Sequence, residues 1–186
     1  MDTAMSNQDT QQKDNAQPIF VIQKHDATSL HYDFRIEIDG VLVSWAVPKG
    51  PSTDPSEKRL AMPTEDHAME HADYEGVVPE GEYGAGTVLI WDRGTYRNLK
   101  EEPDAKSVAQ QLEDGHVTIW LEGEKISGGY SLNRIATGED ERWLLVKMDD
   151  EEADARRNPT STEPDSVKTG RSLKEIRQEE APEDDA

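Results

Sequence analysis

Short apolar runs broken by polar punctuation dominate the chain, and no long helical stripe is present. Ile19–His25 (IFVIQKH), Leu30–Ile38 (LHYDFRIEI) and Val41–Val47 (VLVSWAV) are rich in β-branched and aromatic residues. Asp39-Gly40 between the last two is a two-residue hairpin signal. Thr87–Trp91, Val117–Leu121, Gly129–Ile135 and Arg142–Met148 predict four further strands. One helix is expected over Asp104–Leu112, capped by Asp104 and stopped by Gly115. A second, weak helical turn around Leu173–Ile176 has only two apolar positions to anchor it. Many short strands with one or two short helices predict a mainly β fold, an antiparallel barrel or sandwich. Lys49 to Gly86 reads as a long Pro- and Gly-rich connection of the kind that carries function.

Composition sets the limits of the packed part. Only 33% of the 186 residues are hydrophobic while 32% are charged, so part of the length lies outside a core. Residues 1–16 (MDTAMSNQDTQQKDNA) show no hydrophobic period and predict a disordered arm. Residues 150–186 hold 12 acids, 6 bases and three prolines, and predict an acidic, mostly disordered tail. Residues 17–149 are left as the single folded domain. Acids outnumber bases 40 to 20 overall, and such a surface repels nucleic acid unless a local site overcomes it. With no cysteine, disulfides, thiolate metal sites and cysteine nucleophiles are excluded. No apolar run approaches the ~18 residues of a membrane span and no leader pattern is visible, which predicts a cytoplasmic protein with no membrane partner.

The informative stretch is His25-Asp-Ala-Thr-Ser-Leu-His31-Tyr-Asp33-Phe-Arg35. Side chains on a strand alternate faces, so His31, Asp33 and Arg35 share one face and Leu30, Tyr32 and Phe34 the other. A tight turn through Asp26–Ser29 would bring His25 alongside. Two imidazoles and a carboxylate make a three-ligand metal site with positions open for water or substrate. A bare H-x-D alternation ordinarily marks a solvated face; the second histidine and the in-phase arginine shift the reading toward a metal. Arg35 suits bidentate phosphate binding, and Lys24 is a further basic group nearby. In the connection, His67 and His71 are four apart, a helical spacing that would let both face the same site. Lys49 and Arg59 are further candidate cations. Gly81-Glu-Tyr-Gly-Ala-Gly86 precedes a strand and reads as a tight barrel corner more than as a phosphate cradle.

QKHDATSLHYDFRIEIDGVLVSWAVPKGP, EDHAMEHADYEG and PEGEYGAGTVLIWDRGTY together resemble the 3′-phosphoesterase module of bacterial non-homologous end-joining DNA ligases (DNA ligase D), from about Phe20 to Met148. The resemblance implies a single-domain β-barrel and a manganese-dependent enzyme, with other transition cations such as cobalt able to substitute. It implies removal of a terminal ribonucleoside and then of a 3′-phosphate from the 3′ ends of DNA or RNA primer-templates during repair. It further implies that His25, His31 and Asp33 bind the metal and that Arg35, Lys49, Arg59 and His67 contact the scissile phosphate. Arg35, His67 and His71 stand as the catalytic candidates. A separate end-joining ligase, a polymerase or Ku are the implied partners.

Two departures stand out. The family often has tyrosine at the position of His71, whose charge changes near neutral pH. The first sixteen residues also do not resemble the basic segment that precedes the module in ligase-attached members. Two rival readings are a non-haem iron and 2-oxoglutarate oxygenase, using H-x-D with His116 and with Lys125 as carboxylate anchor, and an inactive repair adaptor.

Overall fold

The computed structural model describes residues 17–100 and 105–180. Nine strands form one antiparallel sheet: β1 (Ile19–Asp26), β2 (Leu30–Ile38), β3 (Val41–Val47), β4 (Lys58–Ala68), β5 (Gly76–Val78), β6 (Gly86–Asn98), β7 (His116–Gly123), β8 (Ser127–Ala136) and β9 (Arg142–Lys147). Their order is β1-β2-β3-β4-β9-β8-β7-β6-β5, and β1 also pairs with β6. That extra pairing closes an eight-stranded barrel and leaves β5 as a short addition on β6. Closure removes the exposed sheet edges that an open sheet would present.

The seven expected strands are all present. The two-residue turn between β2 and β3 is Asp39-Gly40, both with positive φ (51° and 84°), as a hairpin of this twist requires. Tyr32, Phe34 and Ile36 alternate into an interior shared with Phe20, Ile22, Trp45, Trp91, Tyr130 and Trp143. Edge-on aromatic contacts tie its layers together, with ring centroids 5.7 Å apart for Tyr32–Trp91 and 5.6 Å for Trp45–Trp143.

Three features differ from the sequence expectation. First, Lys49 to Gly86 is not one long connection, because Lys58–Ala68 forms β4. Its pattern is masked by outward-facing polar residues and by Pro63, which sits where β4 has lost its second neighbour: β9 pairs only with Lys58–Ala61. Second, the helix spans Val108–Asp114 (α1), capped by Ser107, whose side chain accepts from the Gln110 amide, and closed by Gly115. The expected cap Asp104 lies outside the described residues, as do the expected N-terminal arm 1–16 and residues 181–186.

Third, the chain from Asp150 to Glu180 is held against the barrel, where the sequence predicts mostly disorder. It contains α2 (Pro159–Thr162) and α3 (Leu173–Glu180), and Ile176 is fully buried in the core cluster. The Asp154 amide donates to the Thr53 carbonyl (2.8 Å) and the Val167 amide to the Ile90 carbonyl (2.9 Å). Trp91 Nε1 donates to the Glu163 carbonyl (2.9 Å). The buried Glu75 carboxylate accepts from Ser166, Thr169 and Arg171. Backbone bonds and one buried carboxylate leave no hydrophobic period, so composition conceals this docking.

Candidate metal centre and active site

The β1–β2 hairpin builds the centre. In its antiparallel register His25 lies directly opposite His31, and Gln23 opposite Asp33. Because the core takes Tyr32 and Phe34, their neighbours His31, Asp33 and Arg35 must face the other way, outward from the barrel interior. A cleft of about 490 Å³ covers this outer face, walled by β3, β4 and the Pro79–Gly86 loop. Gly86 lets that loop approach the hairpin: its φ is 127°, and a Cβ there would lie 2.3 Å from the Asp26 carbonyl oxygen.

His25, His31 and Asp33 each offer a ligand atom, all within 4.8 Å of one another. His25 Nε2 is 3.1 Å from the Ala85 carbonyl, and His31 Nδ1 is 3.2 Å from the Ser29 carbonyl. A carbonyl only accepts, so these contacts assign the ring protons to Nε2 of His25 and Nδ1 of His31. The other nitrogens then turn their lone pairs toward Asp33, His25 Nδ1 at 3.5 Å and His31 Nε2 at 3.2 Å. Three acceptors facing one another repel unless a cation lies among them, and two carbonyls holding the imidazoles in place is the arrangement of metal-binding histidines. The donor set therefore fits a divalent transition metal.

Charge reinforces this. Burial pushes the Asp33 carboxyl up, but the adjacent imidazoles of His25 and His31, which favour the ionised form whenever they carry a proton toward it, and the Arg35 charge outweigh it and hold it well below the usual carboxylate range. The hydrogen bond to Asp33 raises the pKa of His31, against the opposing effect of its burial.

Arg35 is the hub beside the metal set. Its Nε donates to Gln23 Oε1 (2.7 Å), Nη1 donates to Ser44 Oγ (2.8 Å), and Nη2 lies 3.4 Å from Asp33 Oδ2. The fully buried Gln23 donates in turn to the carbonyls of His71 (2.9 Å) and Tyr74 (3.0 Å), fixing the cleft's far wall to the hairpin. Gln23 and Ser44 were invisible as site residues in the sequence, where each reads as one polar residue in an apolar strand.

His67 and His71 do face one site, but not from an α-helix. His67 is the penultimate residue of β4 and His71 sits in a 3-10 turn, Met69–Asp73, with ring centroids 4.5 Å apart. His67 Nδ1 is 3.0 Å from Arg35 Nη1 and 2.9 Å from the Glu65 carbonyl, so it accepts from one or donates to the other, never both. His71 stacks on Tyr74, centroids 5.5 Å apart at 12°. Burial, then the charges of Arg35 and His67, push the His71 pKa down to about 4, so it is neutral at pH 7 and its charge does not change near neutrality.

Other sequence candidates lie elsewhere. Lys49 and Arg59 line a separate hollow with Pro48, Glu57, Lys58 and Leu60, and Arg59 Nη2 is 3.4 Å from Glu57 Oε2. Lys24 is not among the residues lining the cleft, and burial lowers its pKa against the opposing charges of Asp165 and Asp26. His116 bonds Asn133, and Lys125 Nζ lies 4.8 Å above the Trp91 ring, so the set that an oxygenase reading needs is not assembled at the cleft.

Fold and site together define a closed β-barrel with a His-His-Asp group that could hold a metal ion beside a buried arginine. A family model for the DNA Ligase D 3′-phosphoesterase domain matches residues 23–134, and the chain belongs to that family. The multifunctional non-homologous end joining protein LigD of Pseudomonas aeruginosa is 48% identical over 157 residues, covering 83% of this chain and 18% of that protein. The corresponding DNA repair protein LigD of Mycobacterium tuberculosis is 50% identical over 129 residues (69% and 16%). LigD of Mycolicibacterium smegmatis is 45% identical over 132 residues (71% and 17%). The chain spans less than a fifth of the length of these relatives. Among the described residues no helix is long and apolar enough to cross a membrane.

Proposed function

We propose that this protein is a manganese-dependent 3′-end-healing phosphoesterase, removing a terminal ribonucleoside and then a 3′-phosphate from DNA or RNA primer-template ends during repair. The observation that carries the reading is the convergence of the His25, His31 and Asp33 acceptors next to the guanidinium of Arg35. A bound divalent metal would polarise a phosphoryl oxygen and lower the pKa of coordinated water. Two imidazoles with one carboxylate favour manganese or cobalt over calcium or magnesium, which prefer oxygen ligands.

The protein's own groups supply the rest. Arg35, held by Gln23 and Ser44, presents N–H groups to the equatorial oxygens of the phosphate as negative charge grows there. With Nδ1 accepting from Arg35, His67 carries its proton on Nε2, ready to donate to a phosphate or leaving oxygen. The neutral His71 imidazole offers a further hydrogen bond. Lys49 and Arg59 stand apart from this cluster, and we assign them to a neighbouring phosphate of the bound strand. The acidic exterior limits contact to a short 3′ end, so binding is weak and salt-sensitive. Healed ends would pass to a ligase, with a polymerase or Ku as further partners.

The test is incubation of the full chain with manganese and a labelled primer-template bearing either one 3′-ribonucleotide or a 3′-phosphate. Shortening of the first and phosphate release from the second are expected, both lost in EDTA. Intact substrates with manganese present would overturn the reading.

A further inference from the structure

A flat aromatic side chain stands over the metal cleft with no structural task. Tyr83 is 75% exposed, the highest value among the exposed large hydrophobic side chains of the described residues, yet it lines the same cleft as His25, His31, Asp33 and Arg35. The loop that presents it is no loose tether. The Glu82 amide donates to the Pro79 carbonyl (3.3 Å), the Ala85 amide to the Glu82 carbonyl (3.1 Å), and the Ala85 carbonyl holds His25.

The charge balance says what such a residue is for. The cleft offers one guanidinium, Arg35, while Glu82 and Asp33 are acidic, and the chain carries a net charge of −20. Even with a metal bound, the acidic surroundings weaken phosphate contacts, so a further source of affinity would help hold a nucleic-acid end there. Stacking of bases on aromatic faces supplies affinity independent of charge and sequence. We propose that Tyr83 is the nucleobase platform of this site, stacking on the base of the nucleoside immediately 5′ of the phosphate held at Arg35. That nucleoside is the one common to both proposed reactions, so a single platform serves both. The inference rests on the phosphoesterase reading and adds a substrate-binding residue to it.

The experiment uses the manganese-loaded full chain and an oligonucleotide ending in a 3′-phosphate, with 2-aminopurine as its last base. Rapid mixing is expected to quench the fluorescence with wild type and Tyr83→Phe, and not with Tyr83→Ala. KM for phosphate release should rise roughly 5- to 100-fold in Tyr83→Ala. With an abasic residue carrying the 3′-phosphate, Tyr83→Ala and wild type should share the same KM. Equal quenching by wild type and Tyr83→Ala, or an equal KM increase on base-bearing and abasic ends, would overturn the proposal. Absence of phosphate release by wild type would instead overturn the phosphoesterase reading, and the fluorescence comparison would still decide the stacking.

Discussion

His25 and Ala85 are 60 residues apart in sequence, and the imidazole Nε2 of one lies 3.1 Å from the carbonyl oxygen of the other. This contact ties the Pro79–Gly86 loop to the candidate metal site without offering it a ligand. A main-chain oxygen cannot be deleted by mutation, but the loop can be displaced. Gly86→Ala would put a Cβ 2.3 Å from the Asp26 carbonyl at a φ of 127°. All three ligands remain, yet manganese affinity should fall about 10- to 100-fold, the usual effect of losing an outer partner of a ligating histidine. Calorimetric titration measures it.

Arg35 and Lys49 separate two kinds of phosphate contact. Arg35→Lys keeps the charge but loses the fork that engages Gln23 and Ser44, so kcat should fall roughly 100-fold or more. Lys49→Ala should raise KM with little change in kcat, an effect that fades as salt is added. Steady-state rates at two ionic strengths distinguish the outcomes. Equal loss of kcat in both variants would place Lys49 on the scissile phosphate.

Ile176 is a fully buried side chain on a segment that composition marks as polar tail. Ile176→Ala should cost about 2–4 kcal/mol, read as a lower urea midpoint at unchanged slope. Ending the chain at Asp149 should lower the midpoint further, because Trp91 Nε1 and the buried Glu75 lose partners as well.

The pKa of His71 is about 4 in the fold, against about 6.5 for a free imidazole. Between these values the unfolded chain binds the proton and the folded one does not. The resulting stability is complete above pH 6.5 and lost as pH falls toward 4. In His71→Phe, which retains an aromatic partner for Tyr74, the loss of stability across that window should be shallower than in wild type. Urea midpoints measured at half-unit intervals provide the comparison. Parallel curves would show that His71 titrates normally in the folded protein.

The barrel strands and the clustering of His31, Asp33 and Arg35 are legible because alternation on β2 leaves little choice. Once Tyr32 and Phe34 are inside, His31, Asp33 and Arg35 share the outer face. His25 followed from a short turn. Less visible was whatever depends on backbone. β4 hides behind Pro63 and a polar outer face, and the carbonyls of Ala85 and Ser29 that orient the ligands have no residue signature. Gln23 and Ser44 support Arg35 from positions that read as ordinary strand residues. The docking of Asp150–Glu180 rests on main-chain bonds and on Glu75, which a composition measure counts as one more acid.

We propose that two imidazoles and one carboxylate bind one divalent cation beside Arg35. Manganese binding followed by electron paramagnetic resonance on the full chain tests it most directly. One site per chain is predicted, with pulsed spectra showing two coordinated imidazole nitrogens in wild type and one in His31→Ala, whose affinity is also sharply reduced. Wild-type affinity and an unchanged two-nitrogen signature in His31→Ala would show that His31 is not a ligand.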